Sequence, residues 1–300
     1  MILNLYDIIV IGRDIMTIND EYQELLKYRK KQPSNILVEK QRNAWAYFRN
    51  ITNVTNLEKN INSNPPFYYA PLKQIHGSNM VSWSVQNGSE IYVDEEFAVN
   101  NETLVYIQLQ HEILHNLANR VNGNQSFFGY SYDGSGKSNY IGIYIGINEA
   151  TTQMFTEDII GLRLDEKTDY LYFVKNIMRI MKVLFGKELL AGQYLNNNLD
   201  FTIAFNDRTS NKFEPFAKFM NDIYYLSWKK KYRSLSENET EELTKKQQSI
   251  LDFTSRLIHQ FLNYNKDIMN DVCFEIQDDL FIKKLNLQSI DNSNSIHHSK

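Results

Sequence analysis

The feature that most constrains this chain is the pattern HEILH at residues 111–115, within a run typical of a helix. Side chains four positions apart lie on the same face of a helix, so His111 and His115 can bind one metal ion together. Glu112 projects beside them, where its carboxylate can act as a general base toward water activated by the metal. The pattern therefore predicts a zinc site with hydrolytic chemistry.

The residues around the motif indicate that its helix is buried. Glu112 is the only charged side chain between Thr103 and Asn119, and aliphatic side chains dominate the remaining positions. A helix that is apolar nearly all round lies in a protein interior. A carboxylate and two imidazoles cost free energy there unless something binds them, which favours a bound metal.

Composition and charge exclude several classes of function. The chain has 300 residues and a net charge of −4, which gives no electrostatic case for binding nucleic acid. Cys273 is the only cysteine, so the metal ligands must be histidines and carboxylates. No run is long enough for a membrane span, and the apolar N-terminus lacks the basic region and cleavage site of a signal peptide. We expect a cytoplasmic protein with no membrane partner, with export by a leaderless route as the alternative.

The N-terminal half is predicted to mix strands and helices. We expect a strand at residues 5–17, helices at 21–31 and 36–60, and a loop at 60–66. Residues 79–94 alternate apolar and polar side chains on both sides of Asn87-Gly88, which predicts a hairpin. This hairpin leads into the motif helix, whose N-cap is predicted at Asn100 or Asn101.

The chain after the motif helix is predicted to become mainly helical. A glycine-rich stretch at 122–136 leads to an extended segment at 140–146, and a helix from Glu149 to Ile160 closes at Gly161. Further helices are predicted at 171–185, at 214–232 and after a capping box at Ser236–Glu239. The polar tail, residues 286–300, is predicted to be disordered.

A catalytic zinc site needs a third protein ligand and an open position for water. Glu149 is the best candidate, because it opens a helix, follows the glycine-rich stretch and lies on the C-terminal side of the motif helix. Glu157 and Asp158, further along the same helix, are the alternatives. A carboxylate at position 149 is also explained by stabilisation of a helix N-terminus.

The pair formed by HEILH and NEATT, residues 148–152, resembles the gluzincin metalloproteases, the clan of thermolysin-like enzymes. In that clan a second helix with an N-E signature supplies the third zinc ligand. The resemblance implies that His111, His115 and Glu149 bind one Zn²⁺ and that Glu112 is the catalytic base of a peptidase. It covers residues 90–160 and identifies no particular family within the clan.

One position departs from the thermolysin pattern. Four residues after its glutamate that family has an aspartate that orients a ligand histidine, and this chain has Gln153. An amide oxygen can accept the same hydrogen bond without the charge, and Asn116, Asn119 or Thr152 can share the role. The resemblance also implies that a strand before the motif helix binds extended substrate by strand addition, and Ile91–Asp94 is predicted to do so.

Peptide hydrolysis further needs a hydrogen-bond donor for the developing oxyanion. Tyr144 is the preferred candidate, because it lies closest in sequence to Glu149. The alternatives are Tyr130, Tyr132, Tyr140 and His259. In a chain with 19 tyrosines, ordinary aromatic packing is the simpler explanation for any one of them.

Together these patterns predict an α+β protein with a zincin-like core, a small mixed sheet, an active-site helix and a mainly helical C-terminal half. The predicted divisions are an N-terminal α/β segment (1–66), the catalytic core (67–164), a helical subdomain (165–285) and the tail (286–300). The expected activity is zinc-dependent hydrolysis of a peptide or protein substrate. Two rival hypotheses are a non-catalytic regulatory or partner-binding protein of zincin fold that keeps zinc for stability, and a helical interaction module in which the motif is accidental.

Overall fold

The computed structural model describes residues 18–33, 35–52, 65–76, 82–85, 90–122, 125–133, 144–196 and 198–285. Within these ranges the chain is mostly helical and has two small sheets, an α+β arrangement. None of the described helices is long and apolar enough to cross a membrane. The predicted strand at 5–17, the tail at 286–300 and most of the loop predicted at 60–66 lie outside the described residues.

The first sheet is mixed and has the strand order β1-β2-β4-β3. Its strands are β1 (Lys30–Lys31), β2 (Phe67–Ala70), β3 (Ser82–Val85) and β4 (Glu90–Asp94). β4 pairs in parallel with β2 and antiparallel with β3, with Val85 opposite Glu90. The predicted hairpin is confirmed in β3 and β4, although its turn at Asn87-Gly88 lies outside the described residues. Since β4 is paired on both sides, strand addition at Ile91–Asp94 is excluded and that prediction is wrong.

Alternation along β2 and β4 separates two apolar clusters. Phe67, Ile91 and Val93 face the main core, while Tyr68 and Tyr92 face a smaller cluster on the other side of the sheet. Successive side chains of a strand point to opposite faces, which explains this division. The main core is continuous from α2 to the last described helix and holds most of the buried apolar residues.

The N-terminal helices are α1 (Ile18–Tyr28), α2 (Asn35–Phe48), α3 (Leu72–His76) and α4 (Glu95–Asn100). The helix predicted at 21–31 ends earlier, at Tyr28, because Lys30–Lys31 pairs with β2. The helix predicted at 36–60 ends at Phe48. α4 was not predicted, and the Asp94 side chain caps it by accepting a hydrogen bond from the Phe97 amide at 2.9 Å.

The motif helix, α5, runs from Glu102 to Ala118 and is buried over its C-terminal two-thirds. It begins directly after Asn101, the predicted N-cap, whose carbonyl accepts a hydrogen bond from the Val105 amide at 2.9 Å. α5 packs against α2 and against the helix that carries Glu149. The motif therefore lies between two layers of helices, as its apolar composition predicts.

The stretch after α5 forms a second sheet that the glycine-rich composition does not indicate. Its strands are β5 (Asn119–Asn122), β6 (Gln125–Phe128) and β7 (Ser131–Asp133), each antiparallel to the next. The turn between β6 and β7 includes Gly129, whose φ of +57° lies in the left-handed region. This small sheet connects the motif helix to the helix of Glu149.

The C-terminal half is helical, as predicted. Its helices are α6 (Ile145–Ile160), α7 (Tyr172–Phe185), α8 (Lys187–Asn196), α9 (Asp200–Thr209), α10 (Phe213–Tyr232), α11 (Glu237–Leu262), α12 (Ile268–Ile276) and α13 (Asp279–Lys284). The predicted capping box is present, because Ser236 and Glu239 cap α11 reciprocally. Gly161 ends α6 at a φ of +68°, also as predicted.

The start of α6 differs from the prediction. Ile145 and Gly146 were expected in an extended segment, but both belong to the helix. A Cβ atom at Gly146 would lie 2.4 Å from the carbonyl oxygen of Met220 on α10, so only glycine permits this approach. The Gly146 amide also donates to the Asn221 side chain at 2.7 Å. This contact between two helices outweighs the alternating pattern of Ile and Gly, which is typical of a strand.

The last turns of α6 are anchored by a buried network of charges. The Lys175 ammonium lies 2.6 Å from Glu157 and 2.7 Å from Asp169, and the Arg179 guanidinium lies 2.7 Å from Glu157 and 2.9 Å from Asp158. Burial disfavours the charged amine of Lys175, but Asp169 and Glu157 outweigh this, so its pKa is raised. The network fastens α6 to α7 and keeps the Glu149 helix in register.

We predict that Lys175→Met strongly destabilises the fold, because it leaves the buried carboxylates of Glu157 and Asp169 without their shared cation. The free energy of unfolding in urea should fall by about 3 kcal/mol. Lys245→Met is the matched control, since Lys245 pairs with Glu241 while 72% of its side chain is exposed. It should leave the unfolding free energy unchanged within error. Equal effects of the two substitutions would contradict the anchoring role.

Candidate metal centre

Three side chains from two helices converge at the centre of the structure. His111 and His115 come from α5, and Glu149 comes from the second turn of α6. The Nε2 atoms of the two histidines are 3.0 Å apart. The Glu149 carboxylate places one oxygen 3.3 Å from His111 Nε2 and the other 3.3 Å from His115 Nε2. The structure thus brings together the three residues that the sequence proposes as ligands.

Each nitrogen–oxygen distance involves a different oxygen of Glu149, and both are close to the spacing between ligands of a tetrahedral metal site. Ligand atoms bound at about 2.0–2.1 Å from a metal, at corners of a tetrahedron, lie about 3.3 Å from one another. Two imidazole nitrogens and a carboxylate oxygen form a donor set that suits a first-row divalent ion. The buried group formed by His111, His115 and Glu149 could therefore hold a metal ion.

The electrostatics of the cluster favour a charged carboxylate. Burial raises the pKa of Glu149, but His115 and His111 lower it by more, and it lies well below its ordinary value. Burial lowers the pKa of His111, but Glu149 and Glu112 raise it by more. His111 and Glu149 are each only 6% exposed, so these charges act in a medium that screens them weakly. The cluster is arranged to keep negative charge next to its imidazoles.

Gln153 supplies the partner of the first histidine. Its Oε1 atom lies 2.9 Å from Nδ1 of His111, and it follows Glu149 by one turn of α6. When the Nδ1–H group of His111 donates to this oxygen, the lone pair on Nε2 points into the cluster. Gln153 therefore contacts His111 as the sequence predicted, through a neutral amide oxygen.

Glu112 lies on α5 next to His111. Its side chain is buried, with 4% of the residue exposed, and its charge acts on His111. It also acts on Tyr194, a fully buried residue of α8. Glu112 is thus a carboxylate held in the interior within electrostatic reach of the cluster.

Hydrogen bonds on α6 next to Glu149 link Thr152, a predicted supporting residue, to Tyr194, which was not predicted. The Thr152 hydroxyl donates to the Asn148 carbonyl oxygen at 2.8 Å, so the 2.7 Å contact between Thr152 and Tyr194 must use the Tyr194 hydroxyl as donor. Burial raises the pKa of Tyr194, which keeps the hydroxyl protonated as a donor. No local pattern distinguishes Tyr194 from the other tyrosines, because its partner is 42 residues away.

The β6–β7 turn packs directly onto these hydrogen-bonded residues. A Cβ atom at Gly129 would lie 2.1 Å from the Asn148 side-chain oxygen and 2.8 Å from the ring of Tyr194. The next amide, of Tyr130, donates to the same Asn148 oxygen at 3.3 Å, and the Tyr130 hydroxyl donates to the Leu190 carbonyl at 2.9 Å. Asn148 of the N-E pair therefore holds a turn, while its neighbour Glu149 faces the cluster.

The alternative third ligands lie elsewhere. Glu157 and Asp158 belong to the buried charge network with Lys175 and Arg179. Glu157 is two turns beyond Glu149, or about 12 Å further along the helix. Glu149 is thus the only one of the three candidate acids that joins the histidines.

Tyr130 and Tyr144, two candidates for an oxyanion donor, have partners other than the cluster of candidate metal ligands. The Tyr144 ring packs edge-on against Phe213, with ring centroids 5.5 Å apart. The Tyr130 hydroxyl is bound to the Leu190 carbonyl, and His259 lies on α11. The side chain of Tyr132 and all of Tyr140 lie outside the described residues. A catalytic role for Tyr144 remains a prediction.

No protein-family model, curated protein or solved structure matches this chain.

We predict that Gly129→Ala lowers the free energy of unfolding by more than a positive φ angle alone would explain. Gly161→Ala is the matched control, because Gly161 also has a positive φ but has nothing within 4 Å of an added Cβ. The control should cost about 1 kcal/mol of unfolding free energy. Gly129→Ala should cost at least about 1 kcal/mol more, because the methyl group overpacks Asn148 and Tyr194. Equal losses in chemical denaturation would show that the close packing at Gly129 is unimportant.

Proposed function

We propose that this chain is a zinc-dependent peptidase with a zincin-like core, of the gluzincin type that its motifs resemble. The observation that carries this proposal is the cluster of His111, His115 and Glu149, whose candidate ligand atoms lie within 4.8 Å of one another, with Glu112 buried beside it. A carboxylate next to a His-His-Glu site is one of the arrangements that catalyse metal-assisted hydrolysis.

Zinc is the proposed ion because of the donors and their spacing. Two imidazoles and one carboxylate leave one corner of a tetrahedron open, which is typical of a catalytic zinc site. Magnesium and calcium prefer oxygen ligands, so a site with two nitrogen donors does not suit them.

In the proposed reaction each residue has a separate task. A zinc ion held at the cluster would supply a Lewis acid for a peptide carbonyl and for water. His111, His115 and Glu149 hold the ion, and Gln153 orients His111. Glu112 accepts a proton from the attacking water and passes it to the leaving nitrogen of the peptide.

For the substrate we propose an extended peptide that lies along β3. This strand, Ser82–Val85, is at the edge of the described sheet and pairs only with β4 there. An edge strand presents unpaired backbone groups that can bind another extended chain. β3 also packs near the motif helix, which would bring a bound peptide toward the cluster.

A second candidate function is favoured by the burial of the centre. His111, Glu112 and Glu149 are at most 6% exposed, and the side chain of His115 is 11% exposed. An enclosed metal site is typical of structural zinc, which stabilises a fold without catalysis. The alternative is therefore a non-catalytic zinc protein of the same fold that acts through a partner.

We predict one zinc ion per chain after purification without a polyhistidine tag, measured by elemental analysis. Glu149→Gln and His115→Ala should each lose this ion, because two remaining ligands do not hold zinc against a chelator. His297 and His298 in the tail could bind zinc nonspecifically, so their joint replacement by alanine is the control and should leave the stoichiometry at one. A wild-type chain without stoichiometric zinc would end the metalloprotease proposal.

We predict that Glu112→Gln removes peptidase activity and leaves the zinc content unchanged. A general base contributes about 10²–10⁴-fold to the rate of hydrolysis. The turnover of a quenched fluorescent peptide library should therefore fall by a factor of about 100 or more. Glu102→Gln is the control, because Glu102 is an exposed residue in the first turn of the same helix. Full activity in Glu112→Gln would exclude the general-base role. A zinc-loaded wild type with no turnover would favour the non-catalytic candidate.

A further inference from the structure

The buried amide of Gln153 carries an inference about how firmly the proposed metal centre holds its ion, and it rests on the proposed function. We infer that Gln153 is the positioning residue of His111, and that its neutral amide makes the metal reversibly bound where a carboxylate would retain it. Gln153 is 3% exposed and lies one helical turn after Glu149. One helix face thus supplies both a metal ligand and the partner of another ligand.

The hydrogen bond from His111 to Gln153 determines which nitrogen of the imidazole carries the hydrogen. A neutral imidazole has one N–H group, and only the tautomer with hydrogen on Nδ1 leaves Nε2 able to bind a metal. Gln153 Oε1, 2.9 Å from His111 Nδ1, stabilises that tautomer by accepting its hydrogen. Loss of this acceptor would remove the preference for the metal-binding form of His111.

Among the residues that the structure describes, the Gln153 Nε2 group has no hydrogen-bond partner, although it is buried. In the described part of the chain, His111 is thus the only hydrogen-bond partner that orients the amide. If the amide turns over, its N–H donates to Nδ1 and stabilises the tautomer that carries hydrogen on Nε2, which cannot bind the metal. An ionised carboxylate has no N–H group and can only accept a hydrogen bond. It would therefore always favour the tautomer of His111 that carries hydrogen on Nδ1 and can bind the metal through Nε2.

Charge further distinguishes an amide from a carboxylate at position 153. Hydrogen bonds with an ionised acceptor are about twice as strong as neutral ones. A carboxylate at position 153 would also add attraction to a divalent ion in this weakly screened interior. Glutamate has the same length as glutamine, so Gln153→Glu changes the charge and removes the donor while keeping the acceptor in place.

The test measures zinc binding itself. The affinity is determined by competition with a chelating dye, and the release rate is followed after excess chelator is added. Gln153→Met, which keeps the volume but loses the acceptor, should weaken zinc binding by about 10–100-fold. Gln153→Glu should bind zinc about tenfold more tightly and release it correspondingly more slowly, because a charged acceptor strengthens the bond to His111. Gln193→Met is the control, since Gln193 is a buried glutamine bonded to Thr202, and its zinc affinity should match the wild type.

The outcomes separate this inference from the proposed function. If the wild type binds zinc but Gln153→Met and Gln153→Glu have the same affinity as the wild type, the inference is overturned and the metal centre stands. If the wild type does not bind zinc, the metal centre and the inference both fall. If Gln153→Met does not fold, Gln153→Glu still decides, because unchanged or weaker binding in that variant overturns the claim about the neutral amide.

Discussion

Burial of ionisable side chains inside a helical core is the constraint on which the rest of this structure depends. α6 contributes to two sets of buried ionisable side chains. One is the cluster at Glu149, and the other is the charge network at Glu157. In the network, lysine and arginine side chains balance the acids. At the cluster, Glu149 and Glu112 are both buried, and the basic partners are imidazoles. A divalent cation would balance these two carboxylates, so the same rule that explains the network points to a metal at the cluster.

The position of α6 depends on close approaches that only glycine allows. Gly146 lets the first turn of α6 contact the backbone of α10, and Gly129 lets the β6–β7 turn rest on Asn148 and Tyr194. Together with the charge network at the other end, these contacts place α6 at three points along its axis. Glu149 and Gln153 lie between those points, so the acid and the amide are presented to α5 from a rigid element.

The sequence predicts the part of the centre that is local. His111, Glu112 and His115 follow from helical spacing, and Glu149 follows from a second short motif. Tyr194 and Gly129 could not be found, because their roles come from contacts between distant segments that leave no periodic signal. The start of α6 was mispredicted for the same reason, since a tertiary contact at Gly146 overrides the local alternation. In the fold, the hairpin, the capping box and the helical half were predictable from local patterns, whereas the pairing that makes β4 an interior strand was not.

The separation of the candidate metal ligands along the chain would have a consequence for the stability of the protein in a cell. Glu149 follows His115 by 34 residues and lies on another helix, so the unfolded chain offers no complete site. A metal that binds only the native state stabilises it by about 1.4 kcal/mol for each tenfold excess of free ion over the dissociation constant. Proteases act on the unfolded fraction, so the abundance of this protein would follow the supply of the ion. A shortage of the metal would then lower the amount of this protein in the cell through degradation, whether or not the protein is catalytic.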